Sequence, residues 1–530
     1  VANYAKHLAA TPQTEPAPGG KTAPNSAGGY CFEVDDWTRL RRFLVLGCEG
    51  GTYYASERTL TVQNAACVAR LLDVDYRRVV DVVCEVSCNG VAPRQDPAVL
   101  ALALAASHKS KECRKYALSK LSDVCRTGTH LFAFNEAVKQ FRGRGRLLKE
   151  AVQRWYSSKD PRDLAYQVTK YQSRNGWSHR DLLRLSRPKF ENPGSNTVAA
   201  WAVGKLDPLV PESCTPGGFL DPIVGLEKVK RATAVKEVVK LIQDYRLVRE
   251  VVPTEHLNSP EVWEALLEEM PVTAMIRNLG KMTQVGLLKP LSAATKKVVE
   301  RLQSRERFKS ARVHPMSVLL ALRTYQKGHG DKGKLSWEPV GSVVSALDDA
   351  FYHAFYGVEP TYKNWLIGLD VSGSMSSPIM NSCLSCCEAA AALSLVTLAT
   401  EPWTEVMGFC DSFVKLGLTK GMRLDTALQK TSRLNFGRTD CSLPMVYAAD
   451  RKLEVDVFLV ITDNETYAGS VHPYQALANY RQKMGRPAKL IVMGMTATNF
   501  SIADPSDAGM LDVIGMDSTA PQVMADFARS

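Results

Sequence analysis

The sequence predicts two unlike bodies in one chain: a large all-helical domain, then a single α/β domain built on parallel strands. Three observations predict it. From about Trp37 to about Tyr356 apolar residues recur with helical period, and strand-like alternation is scarce. After Tyr362 short apolar runs alternate with helical segments, the pattern of parallel strands covered on both faces. The charge divides at the same place: residues 1–360 hold 52 Lys and Arg against 38 Asp and Glu, whereas residues 361–530 hold 14 against 17.

Residues 1–29 are rich in Pro, Gly, Thr, Ala and Asn and carry no core-forming pattern, so a mobile segment is expected. The helical body is assigned to residues 30–360. Its amphipathic segments include Ala66–Leu72, Tyr76–Ser87, Pro97–Ser107, Cys113–Val124, Val224–Asp244, Pro260–Glu269, Ala293–Gln303 and His314–Lys327. Short Gly, Pro, Asn or Ser breaks join them. Paired helices of about 40 residues per unit suit a degenerate helical solenoid, although no strict repeat is present and an irregular all-α domain fits the pattern nearly as well. The connector Tyr356–Pro360 contains Gly and Pro and marks the boundary. In residues 361–530, strands are expected at Trp365–Val371, Val406–Cys410, Val455–Thr462 and Lys489–Met495, with helices at Ala389–Ala399 and Tyr474–Met484. A doubly wound α/β domain follows.

With 45% hydrophobic and 23% charged residues, the chain has material for a core and is not a disordered polymer. Its longest apolar stretches, near 98–106 and 389–399, fall short of the roughly 20 residues a membrane span needs. The printed sequence opens on Val1 without a basic-then-apolar leader. Thirteen scattered Cys suggest reduced thiols in a cytosolic or nuclear setting.

The first chemical constellation is Asp370-Val-Ser372-Gly-Ser374, at the carboxyl end of a predicted strand. Open α/β sheets bind ligands at that edge. Carboxylate and hydroxyl oxygens suit a hard divalent cation that keeps several waters, Mg2+ or Mn2+. Thr439 and Asp463 are the further candidate ligands. Asp440 is an alternative, and Glu465 is a neighbour rather than a ligand. The set resembles the metal-ion-dependent adhesion site of von Willebrand factor A domains, where one coordination position is left for a partner's carboxylate. An ordinary polar loop is the competing reading. No base or nucleophile pairs with the site.

The second constellation is basic. Residues 140–189 hold 13 Lys and Arg against 4 Asp and Glu. Arg142, Arg144 and Arg146 alternate with glycines, which suits close approach to phosphate. Helical spacing groups Lys170 with Arg174, away from the apolar face of Leu164, Val168 and Tyr171. Asn175-Gly176 stops that helix, and Ser178 with Asp181 forms a capping-box signature for the next one. Arg180, Arg184 and Arg187 then repeat at i, i+4 and i+7, with Tyr171, Trp177 and His179 nearby as stacking surfaces. A solvated basic face is the plain alternative.

Several further motifs carry a resemblance. They are Arg42–Tyr54, Lys170-Tyr171 with Arg174–His179, Glu269–Ala274 with Arg277–Met282, Arg312–Pro315, Gly328–Gly330 with Gly333–Leu335, Asp370–Met375, Thr439–Pro444, Thr462–Thr466, Val471–Pro473 and Ile502–Pro505. In order and spacing, from about residue 28 to the end, the chain resembles the Ro 60 kDa autoantigen family, the TROVE-module proteins. The resemblance implies a HEAT-like α-helical ring followed by a Rossmann-like von Willebrand factor A domain. It implies Y RNA on a basic outer surface and single-stranded 3′ ends of misfolded small noncoding RNAs in the ring cavity. It also implies RNA quality control without an enzymatic reaction. Lys170 and Arg174 take the Y RNA role from it. Arg187 stands where the family tends to have His, and residues 190–222 diverge. Arg126, His130, Arg277, Lys281, Lys327 and Lys334 are the candidates for the cavity, with capping or packing an even alternative for Arg277-Asn278 and His314-Pro315. The implied protein is monomeric within a ribonucleoprotein, off the membrane, in the cytoplasm, and in the nucleus too if eukaryotic.

Two other classes remain. One is an adaptor that grips an acidic protein ligand through the metal, with RNA secondary. The other is a metal- or thiol-dependent hydrolase using Cys383-x-x-Cys386-Cys387, which lacks a second Cys pair or a His companion.

Overall fold

The computed structural model describes residues 10–18, 22–47, 57–207, 209, 216–330, 333–355, 358–379, 382–431 and 437–530, with the backbone alone at 57–63. The stretch 48–54 of the Arg42–Tyr54 motif and residues 356–357 of the connector lie outside them.

The helical body opens with Asp36–Leu46 and Glu57–Asn89, the latter broken at Asp75, whose φ of −149° and ψ of 82° leave the helical region. Asp96–Ser107, Lys111–Ser119, Gly128–Phe141, Arg146–Ser157, Pro161–Lys170 and His179–Ser186 follow. The sequence starts many of these helices with its own side chains. Asp35, Ser110, Thr127, Asp160, Ser259, Ser292 and Ser304 each accept a hydrogen bond from a first-turn amide, satisfying a donor the helix cannot. The expected segment Val224–Asp244 is two helices, Asp221–Val229 and Val235–Tyr245. Pro260–Glu269 and Ala293–Gln303 form as expected, and Pro315–Lys327 nearly so. The body closes on itself. Arg312 donates to Cys88 O, and His314 Nε2 is hydrogen-bonded to Val91 O at 3.1 Å, joining the last helices to the first. His314 also caps its own helix by accepting from Met316 N. Capping and packing are therefore the roles this residue fills.

The α/β domain is a six-stranded sheet. Its strands are β5 (Asn364–Asp370), β6 (Trp403–Phe409), β7 (Phe413–Lys415), β8 (Val457–Thr462), β9 (Lys489–Gly494) and β11 (Met510–Ile514), in the order β11-β9-β8-β5-β6-β7. All neighbours are parallel except β7, which runs antiparallel to β6. Side chains alternate between two cores. Ile367, Leu459 and Ile491 face the core shared with the helical body and the helix Cys386–Thr400. Leu366, Phe458 and Leu490 face the helices Leu443–Arg451 and Pro473–Met484. Burial on both faces is why these strands read as unbroken apolar runs. Among the described residues no helix is long and apolar enough to cross a membrane.

The N-terminal stretch departs from the sequence expectation. β1 (Thr22–Pro24) pairs antiparallel with β2 (Tyr30–Glu33), and β2 pairs with β10 (Phe500–Ser501) of the α/β domain. Polar side chains do the anchoring. Gln13 Nε2 donates to Asp440 Oδ1 and Val471 O at 2.8 Å each, and Asn25 Nδ2 donates to Thr466 O at 2.7 Å. The described part of residues 1–29 is thus built into the second domain rather than free. The domains are also joined by Arg42, fully buried, whose Nη2 bonds both oxygens of Asp512 on β11 at 2.7 Å. Its Nη1 donates to Thr498 O and Phe500 O.

Candidate functional site

The carboxyl edge of β5 and β8 gathers the five oxygen-bearing side chains of the first constellation. Asp370 ends β5, Asp463 follows β8, and Asp370, Ser372, Ser374, Thr439 and Asp463 are all buried. Ser372 N donates to Asp370 Oδ1 at 2.9 Å, and Thr462 Oγ1 donates to Asp370 Oδ2 at 2.6 Å. The Ser372 and Ser374 hydroxyls are 3.1 Å apart. Burial, then the neighbouring Asp463 charge, pushes the Asp370 carboxyl up to about 7. Burial raises Asp463 as well, against a hydrogen bond from Ser374.

Two carboxyls enclosed side by side repel when both are ionised, a repulsion that either a proton or a cation relieves. Asp463 Oδ2 is buried without a hydrogen-bond partner, and such an orphaned oxygen suits a ligand to a cation. The donor set is hard oxygen throughout and fits Mg2+ or Mn2+. Among the described residues no group of three or more His, Cys, Asp and Glu could hold a metal. This edge differs in kind, with two carboxylates and hydroxyls. Asp440 is occupied by Gln13 and by Ser442, which argues against it as a ligand. Glu465 is fully buried, raised to about 8 by burial and the Asp463 charge, and held by Ala27 N.

The basic face lies on the first half of the helical body. Arg142, Arg144, Arg146, Arg174, Arg180, Arg184 and Arg187 are exposed. Among the described residues, only Arg146 of these seven is in an ion pair, with Glu150 at 2.8 Å. Arg144 stacks over the Trp177 ring at 4.5 Å, and Trp177 Nε1 donates to Glu136 at 2.8 Å. Ser178 and Asp181 make the reciprocal capping box expected of them.

Three details of this face differ from the helical-wheel expectation. The helix ends at Lys170, and Arg174 lies on a hairpin formed by β3 (Ser173–Arg174) and β4 (Trp177–Ser178). Asn175 and Gly176 both have positive φ, 53° and 75°, which is the turn an Asn-Gly pair favours between two strands. Lys170 is half-buried, with Nζ on Tyr166 Oη at 2.7 Å and over the Tyr166 and Tyr171 rings. Arg187 leaves the helix in a left-handed conformation, φ 53°, so the stripe keeps Arg180 and Arg184 and turns away at its end.

His179 is a correction. It is 3% exposed, packed edge-on to Phe132, stacked near Trp155 and hydrogen-bonded to Tyr156 Oη at 2.8 Å. Burial pushes it down to about 4. It is a neutral core group that sets the base of the hairpin, not a surface contact for a ligand.

A cavity of about 670 Å3 lies within the helical body. Arg277 and Lys281 line it, as do Arg94 and Arg249, which the motifs did not single out. Its walls come from both halves of the body, Pro93 and Arg94 from one and residues 249–337 from the other. Arg126, His130, Lys327 and Lys334 are not among its lining residues. Arg126 instead binds Ser87 Oγ and Ser87 O at 3.0 Å, beside the ring closure. His130 is half-buried and pushed down to about 4 by burial. The helical order of residues 249–281 could have pointed to Arg249, but nothing in the sequence brings Arg94 across the ring.

Residues 23–205 and 239–324 match the family described as TROVE domain, and residues 364–528 match the Ro60 vWA domain. The chain belongs to the Ro60 family. A Deinococcus radiodurans protein named RNA-binding protein RO60 is 43% identical over 509 residues, 95% of each chain. A Caenorhabditis elegans protein of the same name is 36% identical over 576 aligned positions, 95% of this chain and 89% of that one. The crystal structure of the Deinococcus radiodurans RO (RSR) protein covers 93% of this chain and 99% of its own, at 43% identity and a TM-score of 0.71. In this Ro60-family chain residues 206–238 fall between the two TROVE matches, overlapping the stretch whose motifs diverge.

Proposed function

We propose that this protein binds RNA in the service of RNA quality control, taking Y RNA on the basic face and single-stranded 3′ ends of misfolded small noncoding RNAs in the cavity. The observation that carries the reading is the row of seven exposed arginines, of which only Arg146 has a carboxylate partner among the described residues. Exposed guanidinium groups, with Arg144 over the Trp177 ring, serve phosphate and base faces alike. The names of the two relatives support the RNA class. Arg94, Arg249, Arg277 and Lys281 supply the cavity with positive charge for a single strand.

In this reading the protein binds and sorts RNA without a covalent step. The thiol alternative loses ground because burial pushes Cys386 and Cys387 up, the latter to about 12, away from thiolate.

The test is a mobility or filter assay across salt concentrations. Lys170→Ala with Arg174→Ala should weaken Y-like RNA and flatten the log–log salt slope, each lost phosphate contact contributing roughly 0.7 to 0.9. Arg277→Ala with Lys281→Ala should weaken only RNAs that carry a single-stranded 3′ tail. Unchanged binding in both variants contradicts the assignment.

A second reading is favoured by the unpartnered Asp463 oxygen. Asp370, Ser372, Ser374, Thr439 and Asp463 would hold one Mg2+ or Mn2+. A cation held there would supply a Lewis-acidic centre for a carboxylate of an acidic protein ligand. The residues themselves enclose and orient the oxygens, Thr462 fixing one edge of Asp370. Partner capture that survives EDTA would remove this second role.

A further inference from the structure

The two loops that carry Thr439 and Asp463 are bonded to a segment more than 400 residues earlier in the chain. Gln13 is fully buried and spends its whole amide on them. Its Nε2 donates to Asp440 Oδ1, next to Thr439, and to Val471 O, and its Oε1 accepts from Thr466 Oγ1. Asn25 Nδ2 donates to Thr466 O at 2.7 Å. Asn25 Oδ1 accepts from Ala27 N and Gly29 N, closing the turn that brings Ala27 N to Glu465 Oε2 at 3.1 Å. Cys31 Sγ donates to Asn464 O at 3.3 Å. The three residues that follow Asp463 are thus each held from the N-terminal side. The two loops are also tied to each other, since Tyr467 N and Ala468 N both donate to Thr439 O at 3.0 Å. The segment has a footing of its own besides. Phe32 packs edge-on to Tyr474 at 5.4 Å, His472 Nε2 is hydrogen-bonded to Glu15 O at 2.9 Å, and β2 pairs with β10.

We propose that Gln13 and Asn25 are positioning residues for the metal edge: their segment is a clasp that sets Thr439 and Asp463 against Asp370, and the affinity of the edge for a divalent cation depends on it. The inference rests on the second reading above and adds what holds the oxygens in place. Asp370 ends β5 and takes its position from the sheet, whereas Thr439 and Asp463 lie beyond the strand ends. Oxygens on loops keep a coordination geometry only while the loops are held, and the clasp bonds fall on those two loops. Groups bonded behind a metal's ligands commonly contribute about 10–100-fold in metal affinity. The effect is reciprocal. Whatever closure of the clasp adds to cation affinity, a bound cation adds to closure of the clasp.

The experiment uses the full chain in two arms: Mn2+ affinity by electron paramagnetic resonance of the free ion, and hydrogen exchange by mass spectrometry with and without Mg2+. Gln13→Met with Asn25→Leu keeps most of the buried volume and removes the bonds, and it should weaken Mn2+ binding by about 10–100-fold. Gly29→Ala should weaken it too, from the backbone side, because a Cβ there would collide with Thr466 O. In the wild type, saturating Mg2+ should slow exchange in peptides within residues 22–33 by a similar factor, and Asp370→Ala should abolish the slowing. A purely structural segment would change the melting temperature when altered, but its exchange would not answer to Mg2+. Wild-type Mn2+ affinity in both variants, or exchange in residues 22–33 indifferent to Mg2+, overturns the clasp alone so long as the wild type binds Mn2+. The exchange arm needs only the wild type and Asp370→Ala, so it stands even if the clasp variants misfold. A wild type that binds no Mn2+ removes the metal reading and the clasp with it.

Discussion

Arg42→Met tests whether the helical body and the α/β domain are one cooperative unit. Arg42 is 0% exposed, donates to both Asp512 oxygens at 2.7 Å, and also reaches Thr498 O at 2.7 Å and Phe500 O at 2.8 Å. Methionine keeps most of the buried volume and removes every one of those donors. Asp512 would then sit as an uncompensated charge at 15% side-chain exposure, with Ser501 Oγ still donating to it at 2.7 Å. Removing one partner of a buried pair costs about 3–5 kcal/mol. The remaining Ser501 bond places this case near the lower end. For an α/β domain of this size, about 3 kcal/mol moves the unfolding temperature by roughly 6–12 °C. Calorimetry of the full chain is the assay, since a chain of two bodies is not assumed to unfold in one step. Arg42→Met should bring the α/β-domain transition down and separate it from the other. Adding Asp512→Leu should restore at least half of the loss, because a buried pair replaced as a whole by apolar groups is close to neutral. A single variant within about 1 kcal/mol of wild type, or a double variant worse than the single, refutes the reasoning.

His179 and His314 are both pushed down to about 4 by burial, so below about 6.5 the unfolded chain takes up protons that the folded one refuses. Stability should therefore fall as pH drops from about 6.5 to about 4, by up to about 3 kcal/mol for each group, and urea midpoints over that range with His179→Gln measure the share of one of them. Gly128→Ala would put its Cβ 2.6 Å from His179 Nε2 and 3.1 Å from Tyr171 Cβ, so thermal melts should show a loss of about 1–3 kcal/mol and weakened Y-like RNA binding. Millimolar Mg2+ should raise the unfolding temperature of the α/β domain, and Asp370→Ala should abolish that rise; an equal rise in the variant would place the ion elsewhere.

How much was legible depends on where each element finds its partners. β5, β8 and β9 were legible because both faces are buried and the strands are continuous apolar runs. β11 was missed: it is a half-buried edge strand with Asp512 in its middle, and that Asp makes sense only once Arg42 arrives from a distant helix. The N-terminal stretch looked free because its order comes from Gln13 and Asn25 binding loops more than 400 residues away. The gathering of Asp370 and Asp463 at one sheet edge was legible from spacing, since both stand at the carboxyl ends of neighbouring strands. His179 was misread although a signal existed. It stands at i, i+3, i+4 and i+7 with Leu182, Leu183 and Ser186, the buried face of its helix. Arg180 and Arg184 occupy the opposite, exposed face, as their own spacing indicated. The cavity was only half legible, because Arg94 joins Arg277 through ring closure and not through sequence proximity.

The central claim is that this protein holds RNA on its arginine face and in its cavity. Crosslinking the native full-length protein to its RNA, then identifying both the attached RNA and the crosslinked peptides, tests it most directly. Structured small RNAs should be attached to peptides within residues 142–187, and free 3′ ends to peptides that contain Arg249, Arg277 or Lys281. Recovery of no RNA above an uncrosslinked control, or crosslinks confined to residues 361–530, would contradict it.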